Sequence, residues 1–343
     1  MEMNSDFKIG TVNEAEVKEL RRFYDEYFKN RKYSLVSCWQ WQYRIDQVNS
    51  PLVALKNDEI AAHSGYIPFS LSVFGKKVSS RWYVDFMVAQ AFRRKGLGGV
   101  LTKRLMLLGG WTFAITGNEK SMGVFRKLKW RENRDSYLIY LPIVPKYLPF
   151  ISKYLSEFQL TIIGPLITFI YHVNSLRFRK YERSQVIKME LNKDTIRNLQ
   201  VFDSGIGQIF PIRDLDFWHW RILLSPDFEN YSLLNIEDNY VLFKKTELRD
   251  AKYSLDILYV DQSLNVRERI GLFKKLYFWS LKEGYVYLRL YTTSSSLKNL
   301  LKYTLGGMIS RAAFAYHANS CDNISIDSNT FDFQFLDNDF EDL

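Results

Sequence analysis

Apolar positions along the chain recur at two periods, near 3.6 and near 2, and their alternation outlines a mixed α/β structure. After a short strand at residues 7–11, residues 12–30 carry Val17, Leu20, Phe23, Tyr24 and Tyr27 at helical spacing, which predicts an amphipathic helix lying on a core. Residues 52–55 and 60–69 read as strands. YVDFMV, residues 83–88, is β-prone and apolar except for Asp85, which predicts a central strand. A helix over 97–108 ends at Gly109-Gly110, and strands at 112–116 and 136–141 flank a helix at 121–128. Helices covering a central sheet are the expected result.

The second half repeats this order. A strand at 185–190 and a helix at 194–202 precede FWHWRILLSPDFENYSLL (217–234), which echoes CWQWQYRIDQVNSPLVAL (38–55). Each segment has a Trp-x-Trp pair, Trp39/Trp41 and Trp218/Trp220, with Arg44 or Arg221 close behind. Strands at 232–235, 240–244, 254–260 and 285–290 follow, with helices at 267–282 and 296–305. A duplicated domain accounts for the agreement in order and spacing. The chain therefore divides into 1–145, a connecting region 146–184, and 185–343. Within the connection, FQLTIIGPLITFIYHVNSLRFRK (158–180) has a long uncharged run broken by Gly164-Pro165. A buried or interdomain helix is the first expectation. A membrane-interface element, with Arg177, Arg179 and Lys180 toward phospholipid, is the second.

Composition changes this picture little. Of 343 residues, 47% are hydrophobic and 25% charged, as in an ordinary folded protein. The 25 Phe, 22 Tyr and 8 Trp exceed ordinary usage, and filling cores and interfaces is their simplest role; a ring-lined ligand groove is the alternative. A net charge of +9 suits an anionic partner, but no nucleic-acid module appears, so no nucleic-acid partner is expected. Cys38 and Cys321 form no redox or metal pattern, which suggests reduced thiols in a cytoplasmic chain. The N-terminus lacks the apolar core of a secretory signal. No His/Cys/Asp cluster has metal-ligand spacing, so no metal is expected.

The chemistry concentrates after the strand at 84–88, where Arg93-Arg94-Lys95-Gly96-Leu97-Gly98-Gly99 leads into the helix. Glycines let backbone amides approach a ligand, a helix N-terminus offers unpaired N–H groups, and three cations add charge. Together they predict a phosphate-holding turn; a tight strand–helix turn with a solvated basic edge is the alternative. GLGG fits neither the Walker nor the dinucleotide spacing.

This turn resembles the acyl-CoA binding motif Q/R-x-x-G-x-G/A of the GCN5-related N-acetyltransferase (GNAT) superfamily, with Arg93, Gly96 and Gly98 at the motif positions after Met87-Val88. GNEKSMGVFRKLKW (117–130) is similar to a later block of the family, through Asn118, Lys127, Leu128 and Trp130, with Lys129 where glycine is usual. The resemblance implies a tandem of GNAT-like domains with a degenerate second copy. The second half lacks the turn: DQSLNVRERIGLF (261–273), which follows residues 258–260, has one glycine, Gly271, and it comes too late. It further implies acetyl transfer from acetyl-CoA to a primary amine, with an amino sugar or a nucleotide- or lipid-linked envelope precursor as acceptor. Tandem relatives in surface-polysaccharide assembly point the same way. A non-catalytic CoA-binding scaffold and an aminoacyl transferase are the competing readings, and contact with the cytoplasmic membrane face and a homodimer are further expectations.

By the same resemblance the Val88 N–H would polarise the thioester, residues 93–99 would hold the pyrophosphate, and Asn118 would touch the pantetheine arm or cap a helix. Phe125 stands where the family often has a tyrosine acid. For the base, Asp85 is a candidate in its apolar strand, or else a carboxylate paired with a local Arg. His63 is either a base or a structural histidine, and Tyr66 and Tyr43 are hydroxyl donors of similar standing. His172, His219 and His317 sit in no distinguishing pattern.

Overall fold

The computed structural model describes residues 6–29, 35–44, 50–116, 119–133, 135–149, 184–202, 209–261 and 264–318, with isolated positions at 151–181 and 331–334. Among these residues the chain builds two mixed sheets. The first runs β1 (Lys8–Thr11), β2 (Leu52–Lys56), β3 (Glu59–Val73), β4 (Lys76–Val88), β5 (Trp111–Thr116), β15 (Ala313–Ala318) and β6 (Arg131–Asn133). A further strand, β9 (Ile209–Ile212), pairs with the far end of β3. The second sheet runs β8 (Val186–Met189), β10 (Tyr231–Ile236), β11 (Asn239–Glu247), β12 (Tyr253–Val260), β13 (Tyr287–Thr292), β7 (Tyr137–Pro142) and β14 (Met308–Arg311).

Read in these directions, the two orders coincide position by position. Every pairing is antiparallel except β4 with β5 and, at the same place, β12 with β13. The halves also exchange a strand. β7 lies between β13 and β14, while β15 lies between β5 and β6, so neither sheet is completed by one half of the chain. The strand expected at 136–141 is therefore present, in the other half's sheet.

Helices α1 (Val17–Tyr27) and α2 (Leu35–Gln42) pack near β2 and β3 through Leu20, Phe23, Tyr24, Leu35 and Tyr43. Helices α3 (Leu97–Met106) and α4 (Glu119–Lys127) cover the outer face of the first sheet, where Leu97, Leu101 and Leu105 meet Ala62, Tyr83 and Ala114. In the second half α5 (Lys193–Phe202) and α6 (Leu215–Trp218) lead into that sheet, whose outer face is covered by α7 (Val266–Lys282) and α8 (Ser295–Leu305). The inner faces of the two sheets meet in one core, and most of the aromatic excess goes there: Trp82, Trp111 and Phe113 pack with Phe314, Phe331 and Phe333. Each such ring contributes about 1.5–3 kcal/mol through burial.

The repeated tryptophans meet between the halves. Trp41 Nε1 donates to the Trp220 carbonyl at 3.0 Å, and Trp220 Nε1 returns the bond to the Trp41 carbonyl at 2.8 Å. Arg44 lies 4.8 Å from the Trp220 ring and Arg221 lies 5.7 Å from that of Trp41, a reciprocal cation–π arrangement. Positions 159, 162, 164–166, 169 and 173 of the connecting region are helical, and Ile162, Leu166, Phe169 and Val173 are exposed, not buried as a buried helix would have them. Among the described residues, no helix is long and apolar enough to cross a membrane.

Candidate functional site

Strand β4 pairs with β5 only through Ser80–Trp82, although both strands continue beyond these rungs. Past Trp82 they separate and leave an opening edged by β4. The pairing with β3 shifts between His63 and Gly65, and Asp85 adopts a left-handed backbone there (φ 50°), the signature of a β-bulge. The Ala89 N–H bonds to the Ala61 carbonyl, so the adjacent Ala62/Val88 pair is the non-hydrogen-bonded one. The N–H and C=O of Val88 therefore face away from β3, into the opening. Arg93 Nε reaches back to that carbonyl at 3.3 Å.

The glycine turn follows β4 after one short helical turn and begins α3. Gly96 (φ 81°) occupies the N-cap position of α3 in a conformation that disfavours any other residue, and no side chain caps the helix. Gly98 packs closely on Phe86, since a Cβ there would lie 2.7 Å from the ring and the ring would have to shift. At Gly99 a Cβ would meet no protein atom within 4 Å, so its bareness serves open space. The turn is anchored from below: Tyr83 Oη lies 3.1 Å from Thr102 Oγ1, which donates to the Gly98 carbonyl at 2.8 Å. Burial pushes the Tyr83 hydroxyl up, so it stays neutral. At the other end of α3, buried Arg81 donates to the carbonyls of Leu105, Leu108 and Gly109. Arg81 and Thr102 carry no sequence signal that would have singled them out.

A cavity of about 880 Å³ runs along the exposed side of α3, lined by Gly96, Gly99 and Val100, with Val124 and Leu128 of the α4 region and Phe7 of the N-terminal segment. Lys8, Lys103, Arg104 and Lys127 also line it, and no carboxylate does. Lys95 stacks over Phe92 at 5.3 Å beside the turn. An uncapped helix terminus, a left-handed glycine turn and an all-cationic rim can hold a phosphorylated ligand. The outward amide of Val88 can polarise a carbonyl that enters the opening. Together these residues fit the pyrophosphate and arm of an acyl-CoA.

The remaining candidates are distributed unequally. The half-buried Asp85 accepts a 2.8 Å hydrogen bond from the Tyr43 hydroxyl through Oδ2. The Asp85 carbonyl lies 2.9 Å from His63 Nδ1, so that nitrogen carries a proton. In the neutral ring the other nitrogen, Nε2, then accepts from the Tyr24 hydroxyl at 3.1 Å. With no exposed surface and both nitrogens engaged, His63 has the arrangement of a structural histidine that fixes the bulge. Tyr66 lies in the core beneath α3, where its hydroxyl accepts from the Ser50 N–H. Met87 is half-buried beside the α1–α2 core. Phe125 is also buried, 4.5 Å from the stacked Trp130 ring, and does not line the cavity. Asn118 lies outside the described residues. Among the described residues, no group of three His, Cys, Asp or Glu side chains is arranged to hold a metal.

The second sheet repeats the opening and fills it. The Asp261 N–H bonds to the Tyr240 carbonyl as Ala89 does to Ala61, which makes Val260 the counterpart of Val88. Here the outward N–H of Val260 donates to Gln334 Oε1 at 2.8 Å, and Gln334 Nε2 donates to the Val260 carbonyl at 3.0 Å. The N-terminus of α7 is closed by a capping box in which Asn265 accepts from the Arg267 and Glu268 N–H groups. Asn-x-x-Glu is legible in the sequence as such a box, whereas Gln334 lies too far along the chain to be paired with Val260 by inspection.

Residues 8–107 match a family model described as an acetyltransferase (GNAT) domain. No curated protein matches the sequence. Among solved structures, a GCN5-related N-acetyltransferase from Anabaena variabilis is 13% identical, with 92% of this chain and 74% of that one covered at a TM-score of 0.58. Another, from Kribbella flavida, is 12% identical over 90% and 71% of the two chains, at 0.57. Saccharomyces cerevisiae N-myristoyltransferase, in a structure with bound myristoyl-CoA and inhibitors, is 12% identical over 92% and 80%, also at 0.57. At these identities the likeness is one of architecture: the chain has the acetyltransferase fold of the GNAT superfamily.

Proposed function

We propose that the protein is an acetyl-CoA-dependent N-acetyltransferase with one cofactor site, in the first half, and a primary amine as acceptor. The observation that carries this reading is the uncapped glycine turn of α3 that follows β4, together with an open β4/β5 cleft into which Val88 directs its amide. Fold likeness to N-acetyltransferases and to a myristoyl-CoA-binding enzyme supports an acyl-CoA donor. The matched strand orders support a tandem of GNAT-like domains, the second closed to cofactor by Gln334 and Asn265. An amino sugar, free or carried on a nucleotide or lipid, is the acceptor class we favour. Acetyl-CoA is a cytosolic donor, which puts the reaction on the cytoplasmic side.

When bound, acetyl-CoA supplies an activated acetyl thioester. The amides at the start of α3 and the cations Arg93 to Lys95 hold its phosphates, and Val88 N–H donates to the carbonyl oxygen. Asp85, on the α1–α2 side of the strand and steadied by Tyr43, accepts the proton that the acceptor's ammonium must lose before the neutral amine attacks the thioester carbonyl. Buried Phe125 provides no hydroxyl for the departing thiolate, so solvent in the cleft supplies that proton.

A thiol-release assay over amino sugars, amino acids and polyamines tests this reading, with amine-dependent release of CoA as the expected result. Acetyl-CoA binding without any amine-dependent release would instead favour the non-catalytic reading that Phe125 suggests. Asp85→Asn is expected to lower kcat by about 100-fold while leaving the Kd for acetyl-CoA unchanged. Calorimetry is expected to find a single acetyl-CoA per chain. Two equivalent sites would contradict the closed second cleft.

A further inference from the structure

In the connecting region the described helical positions are turned the wrong way for a water-facing surface. Ile162, Leu166, Phe169 and Val173 are 61%, 60%, 64% and 47% exposed. Their spacings of four, three and four residues place them within about 60° of one another around a helix, forming a single stripe. Gly164, on the opposite side, is buried against Lys146. A helix on a soluble surface normally buries its apolar stripe, because each large aliphatic or aromatic side chain left in water forfeits about 1.5–3 kcal/mol of burial. Here a residue without a side chain faces the protein, and the bulky apolar ones face outward.

The charges around the stripe indicate what covers it. From residue 158 to residue 181 the sequence has no acidic residue. Lys146 and Lys153 precede the stripe with one acidic residue, Glu157, and Arg177, Arg179, Lys180 and Arg183 follow it with one, Glu182, so cations are in excess on both sides. An apolar stripe bracketed by cations, in a chain of net charge +9, is complementary to a surface with acyl chains beneath anionic headgroups. A protein partner would also accept the apolar stripe, but the excess of positive charge in the flanking sequence favours an anionic lipid surface.

We propose that the exposed stripe Ile162–Leu166–Phe169–Val173 docks the protein on anionic phospholipid, lying in the interface without crossing it. The proposal is independent of the acetyl-transfer reading. Co-sedimentation with phosphatidylcholine vesicles, with and without phosphatidylglycerol, tests it on the full chain. The protein should partition to the phosphatidylglycerol vesicles, and added salt should weaken the binding. Replacing Ile162, Leu166 and Phe169 together with serine should lower that partition by about tenfold or more. All three side chains are solvent-exposed, and an unchanged melting temperature with retained acetyl-CoA affinity would show that the variant is folded. No partition to either vesicle, or equal partition by wild type and variant, would overturn the proposal. So would a wild-type dimer that the variant converts to monomer, since the stripe would then join two copies of the chain.

Discussion

Replacing Gly96 with tryptophan should weaken acetyl-CoA binding by about 100-fold, the effect of losing two charge-assisted hydrogen bonds of about 1.5 kcal/mol each. Gly96 holds φ at 81° at the N-cap of α3, and an indole there would both strain the turn and project into the cavity it lines. The left-handed conformation costs a non-glycine residue about 1–2 kcal/mol, so a modest fall in melting temperature is expected as well. Gly99→Leu separates the two effects. Its backbone is helical and a Cβ there meets nothing within 4 Å, so stability should hold or rise by up to about 1 kcal/mol. Its acetyl-CoA affinity should still fall, by about tenfold, because the side chain enters the space reserved for ligand. Calorimetry and thermal melts on the two variants check both halves of the argument. Unchanged affinity in Gly99→Leu would place the ligand elsewhere.

The largest effect on stability is expected from Arg289→Met. Arg289 and Asp256 face each other across the parallel β12/β13 rungs, at the vertex of the closed cleft. Both guanidinium bonds to the carboxylate measure 2.8 Å, and Thr246 adds a third hydrogen bond to it. Burial opposes the Arg289 charge, but the adjacent Asp256 carboxylate outweighs it and holds the guanidinium above its ordinary range, fully charged. Removing only the arginine leaves a carboxylate with no solvent access and no counter-charge from Arg289, and should cost about 3–5 kcal/mol in urea denaturation. The double variant Asp256→Leu with Arg289→Met should recover most of that loss, because an apolar pair of similar volume replaces a costly buried ion pair. A single variant as stable as the wild type would mean that the pair contributes nothing to the vertex.

Much of this architecture was legible in the sequence, for reasons that are local. Hydrophobic period marked β2, β3, α3 and α7 to within a few residues, except that β3 runs on through Leu71 and Val73 into a longer hairpin with β4. The Trp-x-Trp echo showed up because both copies keep the Trp pair and a nearby Arg at similar spacing. The two tryptophans bond to each other reciprocally across the halves, which no local pattern could announce. The strand exchange was equally hidden, since β7 and β15 have ordinary strand sequences and only long-range pairing decides which sheet receives them. The same limit applies to Gln334, whose two bonds to Val260 span 74 residues of sequence.

The candidate site divides along the same line. The spacing of Arg93, Gly96 and Gly98 marked the turn, because backbone conformation and charge there are set by neighbours in sequence. The choice between base and structural histidine stayed open for His63 because sequence alone gives no view of its partners, Tyr24 and the Asp85 carbonyl, which engage both ring nitrogens. Tyr43 could be paired with Asp85 only once the fold had brought α2 over the bulge. The cationic rim was invisible for a similar reason, since Lys8 and Lys127 come from opposite sides of α3.

The central claim is that one cleft, between β4 and β5, receives the cofactor while its counterpart is closed. A crystal structure with CoA bound tests it directly. The account predicts the pyrophosphate on the amides that begin α3 and the pantetheine arm along β4 beside Val88, with Gln334 still bonded to Val260. CoA seated between β12 and β13 with Gln334 displaced, or bound away from the Gly96 turn, would contradict it.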